Sequence, residues 1–193
     1  VAVIHLDADK SKMISVDIEL ERQERVEYRT EDKAIVMFGQ LKDGSNGDEG
    51  MKYLSKLTVD NEGGNVDFTN NKIIVRDADK LTLIFSSSTN YKNDNYVAFV
   101  DSLMNDAKSH SYKYLKKKHI DSYQELFNRV ELDLGEGITD NHPIDDRLYA
   151  FQEEDDPQLA ALYFHYGRYL FISSTRENLL PPNLQGLWAN TIQ

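Results

Sequence analysis

The chain has no cysteine, one tryptophan and four prolines in 193 residues. Without cysteine it holds neither a disulfide framework nor a thiolate metal site, and the redox compartment stays open. Basic residues are outnumbered, 22 Lys and Arg against 33 Asp and Glu, for a formal net charge of −11. That balance opposes binding to phosphate backbones or anionic lipid, so nucleic acid is not an expected partner. No stretch reaches the roughly 18 uninterrupted apolar residues of a membrane span, and the first residues, Val1-Ala-Val-Ile-His-Leu6, lack the basic region and long apolar run of a signal peptide. A first residue other than Met, in what reads as a strand, leads us to expect that the natural start lies elsewhere. The generic catalytic signatures are missing as well: there is no phosphate-binding loop, dinucleotide fingerprint, nucleophile elbow or His-Glu-x-x-His pair.

What is present divides in two. With 40% hydrophobic residues the chain can bury one full core or two small ones. Up to about Ser88 the apolar residues recur at every second position or in short runs, as in Ile14, Val16, Ile18, Leu20 and in Ile35 to Phe38. That period predicts strands. Turn-rich punctuation at 42–50, 61–64 and 70–71 separates further strands at 52–59, 66–68, 73–75 and 81–85. Short successive strands joined by tight turns predict an antiparallel sheet or sandwich.

After about Asn95 the period lengthens. Val97, Val100, Met104 and Ala107 share one helical face, and Leu115, His119, Ser122 or Tyr123, Leu126 and Val130 share another. Asp156-Pro157 supplies an acidic N-cap with proline at the first helical position, so a third helix should run to about Ser173. Only His165, Gly167 and Arg168 interrupt its apolar circumference between Leu159 and Ile172. A helix apolar all round must be buried all round, and the two earlier helices are amphipathic. Partners for it are therefore expected downstream of Gln193.

The candidate chemistry is sparse. The five histidines (His5, His110, His119, His142, His165) lack metal-ligand spacing and read as structural or surface residues. Asp43 to Gly50 resembles a calcium loop in composition only and reads as a hairpin turn. Glu153 to Asp156 carries the paired acids that sugar hydrolysis needs, but a helix start and cap explains it better. Asp145-Asp146-Arg147 reads as an ion-paired or loop-fixing element. The stretch from Ser173 to Asn190 interleaves amides with the single tryptophan along a path set by two prolines and a glycine. Amides bond sugar hydroxyls in both directions and an indole covers the apolar face of a pyranose. A carbohydrate-pocket wall and a rigid connector that satisfies its own backbone both remain open.

Tyr166-Gly-Arg-Tyr-Leu-Phe-Ile-Ser-Ser-Thr-Arg176 running into Leu180-Pro-Pro-Asn-Leu-Gln-Gly-Leu-Trp188 resembles the signature of glycoside hydrolase family 95, the α-L-fucosidase type. Lys118 to Val130, Pro143 to Leu148, Asp156-Pro157, Ala78-Asp79 and Thr89-x-Tyr91 agree, so the resemblance runs from about residue 35 to the end. It implies an α+β chain: an antiparallel β-sandwich portion (1–92) ending an N-terminal domain, linker helices (93–140) and the first helix of a truncated (α/α)6 catalytic barrel (141–193). The implied activity is inverting removal of terminal α-1,2-linked L-fucose, or in some members L-galactose, from oligosaccharides or glycans, without a cofactor or metal. The implied setting is periplasmic or secreted. The family's acid glutamate, its water-activating asparagines and their aspartate are expected past Gln193, so no catalytic residue is assigned to this chain. Asn183, Gln185, Trp188 and Asn190 are the candidate substrate-binding residues. Ala189 stands where the family commonly has asparagine directly after the tryptophan, which displaces an amide contact by one residue. The rival readings are a non-catalytic carbohydrate-binding module using Tyr28, Tyr53, Phe68 and Tyr91, and a purely structural piece.

Overall fold

A computed structural model describes residues 1–42, 50–135, 142–153, 155–175 and 181–182. The chain divides into two compact units, Val1–Lys116 and Lys117–Gln193.

The first unit contains eight antiparallel strands: β1 (Ala2–Asp7), β2 (Ile14–Glu19), β3 (Glu27–Glu31), β4 (Ala34–Gln40), β5 (Lys52–Glu62), β6 (Asn65–Phe68), β7 (Lys72–Ala78) and β8 (Lys80–Thr89). They form a five-stranded sheet of order β1-β8-β5-β4-β3 and a three-stranded sheet of order β2-β7-β6. The sheets share one apolar core, in which Ile35, Leu57, Leu81 and Leu83 of the larger meet Ile73, Val75 and Ala78 of the smaller. In β2 the alternation is plain: Ile14, Val16 and Ile18 join this core and the intervening Ser15, Asp17 and Glu19 are exposed.

The continuous apolar run in β4 has a different origin. Ile35 enters the inter-sheet core while its neighbour Val36 enters a second core on the opposite face of the larger sheet. That face is covered by α1 (Tyr96–Lys108), whose Val100, Met104 and Ala107 are buried against Val36, Leu54 and Ile84. The central strands are thus apolar on both sides because both sides are covered. Burying Val100 and Met104 stabilises the docked helix by roughly 1.5–3 kcal/mol per side chain. Val97, at the start of the same helical stripe, stays exposed. The chain passes from the larger sheet to the smaller in a tight turn: Gly63 and Gly64 join β5 to β6 at φ +71° and +66°, a conformation that side-chain-bearing residues rarely adopt.

α2 (Tyr112–Phe127) leads into the second unit, which also holds α3 (Ile144–Ala150) and α4 (Pro157–Ser174). The α+β class, antiparallel sheets first and helices after, is as the periodicity predicts. Two elements were not expected, β3 and α3. The expected hairpin at Asp43 lies outside the described residues.

Candidate functional site

Asn183, Gln185, Trp188 and Asn190 lie outside the described residues, so their geometry is not part of the structure. What is described is the helix that leads to them and the groups that hold it.

α4 begins where the Asp-Pro pair places it. Asp156 Oδ1 accepts from the Leu159 backbone N–H at 3.0 Å, and Pro157 occupies the first turn. Asp156 is only 3% exposed and receives Arg147 of α3 in a two-pronged pair, Nε to Oδ2 at 2.8 Å and Nη2 to Oδ1 at 3.0 Å. Burial pushes the carboxyl upward, but the Leu159 N–H and the Arg147 guanidinium outweigh it and hold Asp156 below the ordinary aspartate range. A carboxylate so held accepts hydrogen bonds and does not supply a proton. The acidic cluster is therefore a cap, as the sequence suggests. Its key member is buried and paired, while Glu153 and Asp155 are exposed and Glu154 lies outside the described residues.

The polar interruptions of α4 serve its neighbour in the chain. Arg168 Nη2 donates to the Phe127 carbonyl at 2.6 Å and Nη1 to the Val130 carbonyl at 2.7 Å, with the guanidinium 4.6 Å from the Phe127 ring centre. Phe127 ends α2, so the guanidinium satisfies a carbonyl left over at a helix C-terminus and complements the dipole there. Arg168 Nη1 also lies 3.2 Å from His165 Nδ1. Nδ1 accepts from the guanidinium, which only donates, and Nε2 lies 3.3 Å from both the N–H and the carbonyl of Leu132. Tyr169 meets Tyr123 of α2 edge-on, ring centres 5.9 Å apart. Sequence reasoning marks His165 and Arg168 only as breaks in an apolar surface; that they break it in adjacent turns is the signal that a polar clasp lies there.

The other histidines play local parts. His5 bonds Thr82 and stacks on Tyr112 at 4.2 Å, and His110 sits against Tyr114. Among the described residues no group of His, Asp and Glu could hold a metal ion. Of the rings considered for a binding module, Tyr53 is buried with its hydroxyl on the Arg25 carbonyl, Tyr28 accepts from the Arg22 N–H, and Phe68 packs into the inter-sheet core. Tyr91 alone of the four is exposed, at 62%, and one ring is no platform.

Between α3 and α4 lies an apolar stretch of surface. A groove of about 700 Å³ runs between them, lined by Ile144, Leu148, Phe151, Leu159, Leu162 and Tyr163 among others. Among the described residues of its lining the phenols of Tyr163 and Tyr166 are the only polar side-chain groups, so this part suits an apolar chain better than a sugar.

Residues 111–193 match the glycosyl hydrolase family 95 catalytic domain. Over these residues the chain is similar to that family. Residues 1–94 match a domain described as the glycosyl hydrolase family 65 N-terminal domain, so the two units meet two glycosidase modules in chain order. Curated relatives are similar across the junction. A probable alpha-fucosidase A of Aspergillus niger is 35% identical over 162 residues, 74% of this chain and 20% of that protein. An alpha-L-fucosidase 2 of Arabidopsis thaliana is 34% identical over 163 residues, 75% and 19% of the two chains. A probable alpha-fucosidase A of Aspergillus oryzae is 31% identical over 147 residues, 66% and 20%. The chain spans about a fifth of the length of these relatives. Among its described residues no helix is long and apolar enough to cross a membrane.

Proposed function

We propose that the whole protein is an exo-glycosidase that removes terminal α-1,2-linked L-fucose from oligosaccharides or glycans with inversion, acting in the periplasm or outside the cell. The match of residues 111–193 to the family 95 catalytic domain carries this reading, and the names of the relatives give the sugar. Within it, residues 1–92 end an N-terminal β-domain, 93–140 link, and 141–193 begin the (α/α)6 barrel. The apolar surface of α4 supports the last point, since a helix of that kind is stable only inside a helical domain. Inversion needs one carboxylic acid on the leaving oxygen and a base on water across the ring. We place both outside these 193 residues; among the described residues of the matched region the one buried acid, Asp156, is locked as a cap. Asn183, Gln185, Trp188 and Asn190 are proposed to line the sugar site.

Fucose release from a 2′-fucosyl oligosaccharide by the full-length protein tests the reading, with the anomer of the first product followed by NMR. Release of β-L-fucose is expected, and Trp188→Ala is expected to raise KM about tenfold with a smaller change in kcat. Activity only on α-L-galactosides would move the substrate, and retention of the α-anomer would refute inversion. Release by residues 1–193 alone would show that the catalytic groups had been misplaced.

A further inference from the structure

Within the first unit, α1 and the hairpin of β3 and β4 enclose a depression of about 430 Å³ with a mainly polar lining. Arg29, Glu31 and Asp32 come from the hairpin, Asp101, Asn105 and Lys108 from the helix, and Lys56 of β5 lies buried between them. The hairpin turns on Asp32 and Lys33, both at positive φ (+47° and +57°), as tight hairpin turns require. Thr58 Oγ1 donates to the Lys33 carbonyl at 2.9 Å and fixes that turn. Ion pairs tie the two walls together: Lys56 Nζ bonds Asp101 at 2.8 Å and Glu31 at 3.2 Å, and Arg29 Nε bonds Glu31 at 2.8 Å. Polar groups held in this way are ordered before any ligand arrives, which lowers the cost of binding one.

The charges decide what such a depression accepts. Three cations, Arg29, Lys56 and Lys108, stand with three carboxylates, Glu31, Asp32 and Asp101, so the lining is balanced. An anion meets the acids and a metal cation meets the buried ammonium. A hydroxyl suits both signs, because it donates to a carboxylate while accepting from an ammonium. The ion pairs use two of the three ammonium hydrogens of Lys56 and one oxygen of Asp101, which leaves a donor beside an acceptor. Asn105 adds an amide that does both, and the exposed Val97 supplies an apolar patch. We propose that this depression binds a neutral saccharide, whose adjacent hydroxyls bond the paired acids and cations and whose C–H face lies on Val97. Its volume falls in the range of small-molecule sites, about 300–1,000 Å³, at the end that suits a short saccharide. Recognition here is by hydrogen bonds, in a unit where Tyr28, Tyr53, Phe68 and Tyr91 form no aromatic platform.

Full-length protein is titrated by calorimetry with the methyl glycosides of D-glucose, D-galactose and D-mannose, and with glucuronate and glucosamine as charged counterparts. At least one neutral glycoside should bind with a Kd of roughly 1 mM or tighter, and both charged sugars more weakly. Asn105→Ala combined with Lys108→Ala should weaken that binding at least about tenfold, the loss expected for one bond to a charged group. Both side chains are exposed, so Tm should not move. In the wild type, saturating glycoside should slow acetylation of Lys108 and leave the exposed Lys113 unchanged. Absence of binding by all three neutral glycosides, binding untouched by the double variant, or equal acetylation of Lys108 with and without glycoside would overturn the proposal. Tighter binding of glucuronate or glucosamine than of any neutral glycoside would also overturn it, in favour of an ion site. Neither measurement involves hydrolysis, so failure here leaves the fucosidase reading standing.

Discussion

A guanidinium held by two bonds to one buried carboxylate orders two helices at once, because that carboxylate also caps α4. Removing either partner of Arg147 and Asp156 has unequal consequences. Arg147→Met leaves an ionised carboxylate buried without its cation, whereas Asp156→Asn keeps a good cap but loses the charge and one of the two acceptors of Arg147. We expect both to lower Tm at pH 7, Arg147→Met by the larger amount, at least several degrees. The pH dependence follows from the lowered pKa of Asp156. A carboxyl depressed in the folded state contributes stability above its unfolded value, near pH ~3.9, and loses it as pH falls through the folded value. The Tm gap between wild type and Asp156→Asn should therefore be widest near neutrality and shrink below about pH 4. A gap constant from pH 7 to pH 2 would show that the charge of Asp156 does not contribute to stability. The cap and the ion-paired character of Arg147 are both legible in the sequence. That they meet is not, because they stand nine positions apart and neither periodicity nor capping rules report a fold-back.

At the scale of elements, Lys56 shows how a charge comes to sit in a core. It occupies β5 at a position whose alternation points toward α1, and its ammonium bonds Asp101 of that helix at 2.8 Å and Glu31 of β3 at 3.2 Å. Burial works against its charge, yet the bonds to Asp101 and Glu31 raise its pKa above the ordinary lysine value. One side chain thus ties the helix and the edge strand to the centre of the sheet. Both acids are about a third or more exposed and can return to water, so Lys56→Met should cost about 1–2 kcal/mol in urea unfolding, less than for a fully buried pair. Asp101→Asn should cost less, since Glu31 remains. A Lys56→Met variant as stable as wild type would mean that apolar packing alone docks α1. The elements that sequence reading misses are explained by the same contacts. β3 is Glu27-Tyr-Arg-Thr-Glu31, with a single ring and no apolar alternation, and it is a strand because β4 pairs with it from Glu27↔Phe38 to Glu31↔Ala34. α3 is seven residues with no buried side chain, too short to show a period, and its Arg147 anchors it to α4. The strands and helices that are legible are those whose apolar positions meet a core, such as β2, β8 and the Val100, Met104, Ala107 stripe of α1.

For the whole molecule, the contrast between the two units decides how residues 1–193 should behave when expressed by themselves. The first unit has two closed cores and buries its central strands on both faces. In the second, α2 and α3 bury no side chain and α4 buries only Leu159, while Leu162, Phe164, Tyr166, Tyr169 and Phe171 of α4 are exposed. Contiguous exposed apolar surface of this kind drives association unless something covers it. The sequence announces this imbalance, since an apolar helix beside two amphipathic ones has no sufficient partner. It says nothing of where the amides and Trp188 sit, because a loop's path depends on the domain around it. We therefore expect residues 1–193 to bind 8-anilinonaphthalene sulfonate and to self-associate in sedimentation, and the full-length protein to do neither. Tyr163→Lys with Phe171→Lys should reduce both signals in the short form by charging two of the most exposed rings, with little change in the melting of the β-rich unit. If the short form is instead monomeric and dark to the dye, α4 must bury these rings within its own unit, and the case for further helices around it would be lost.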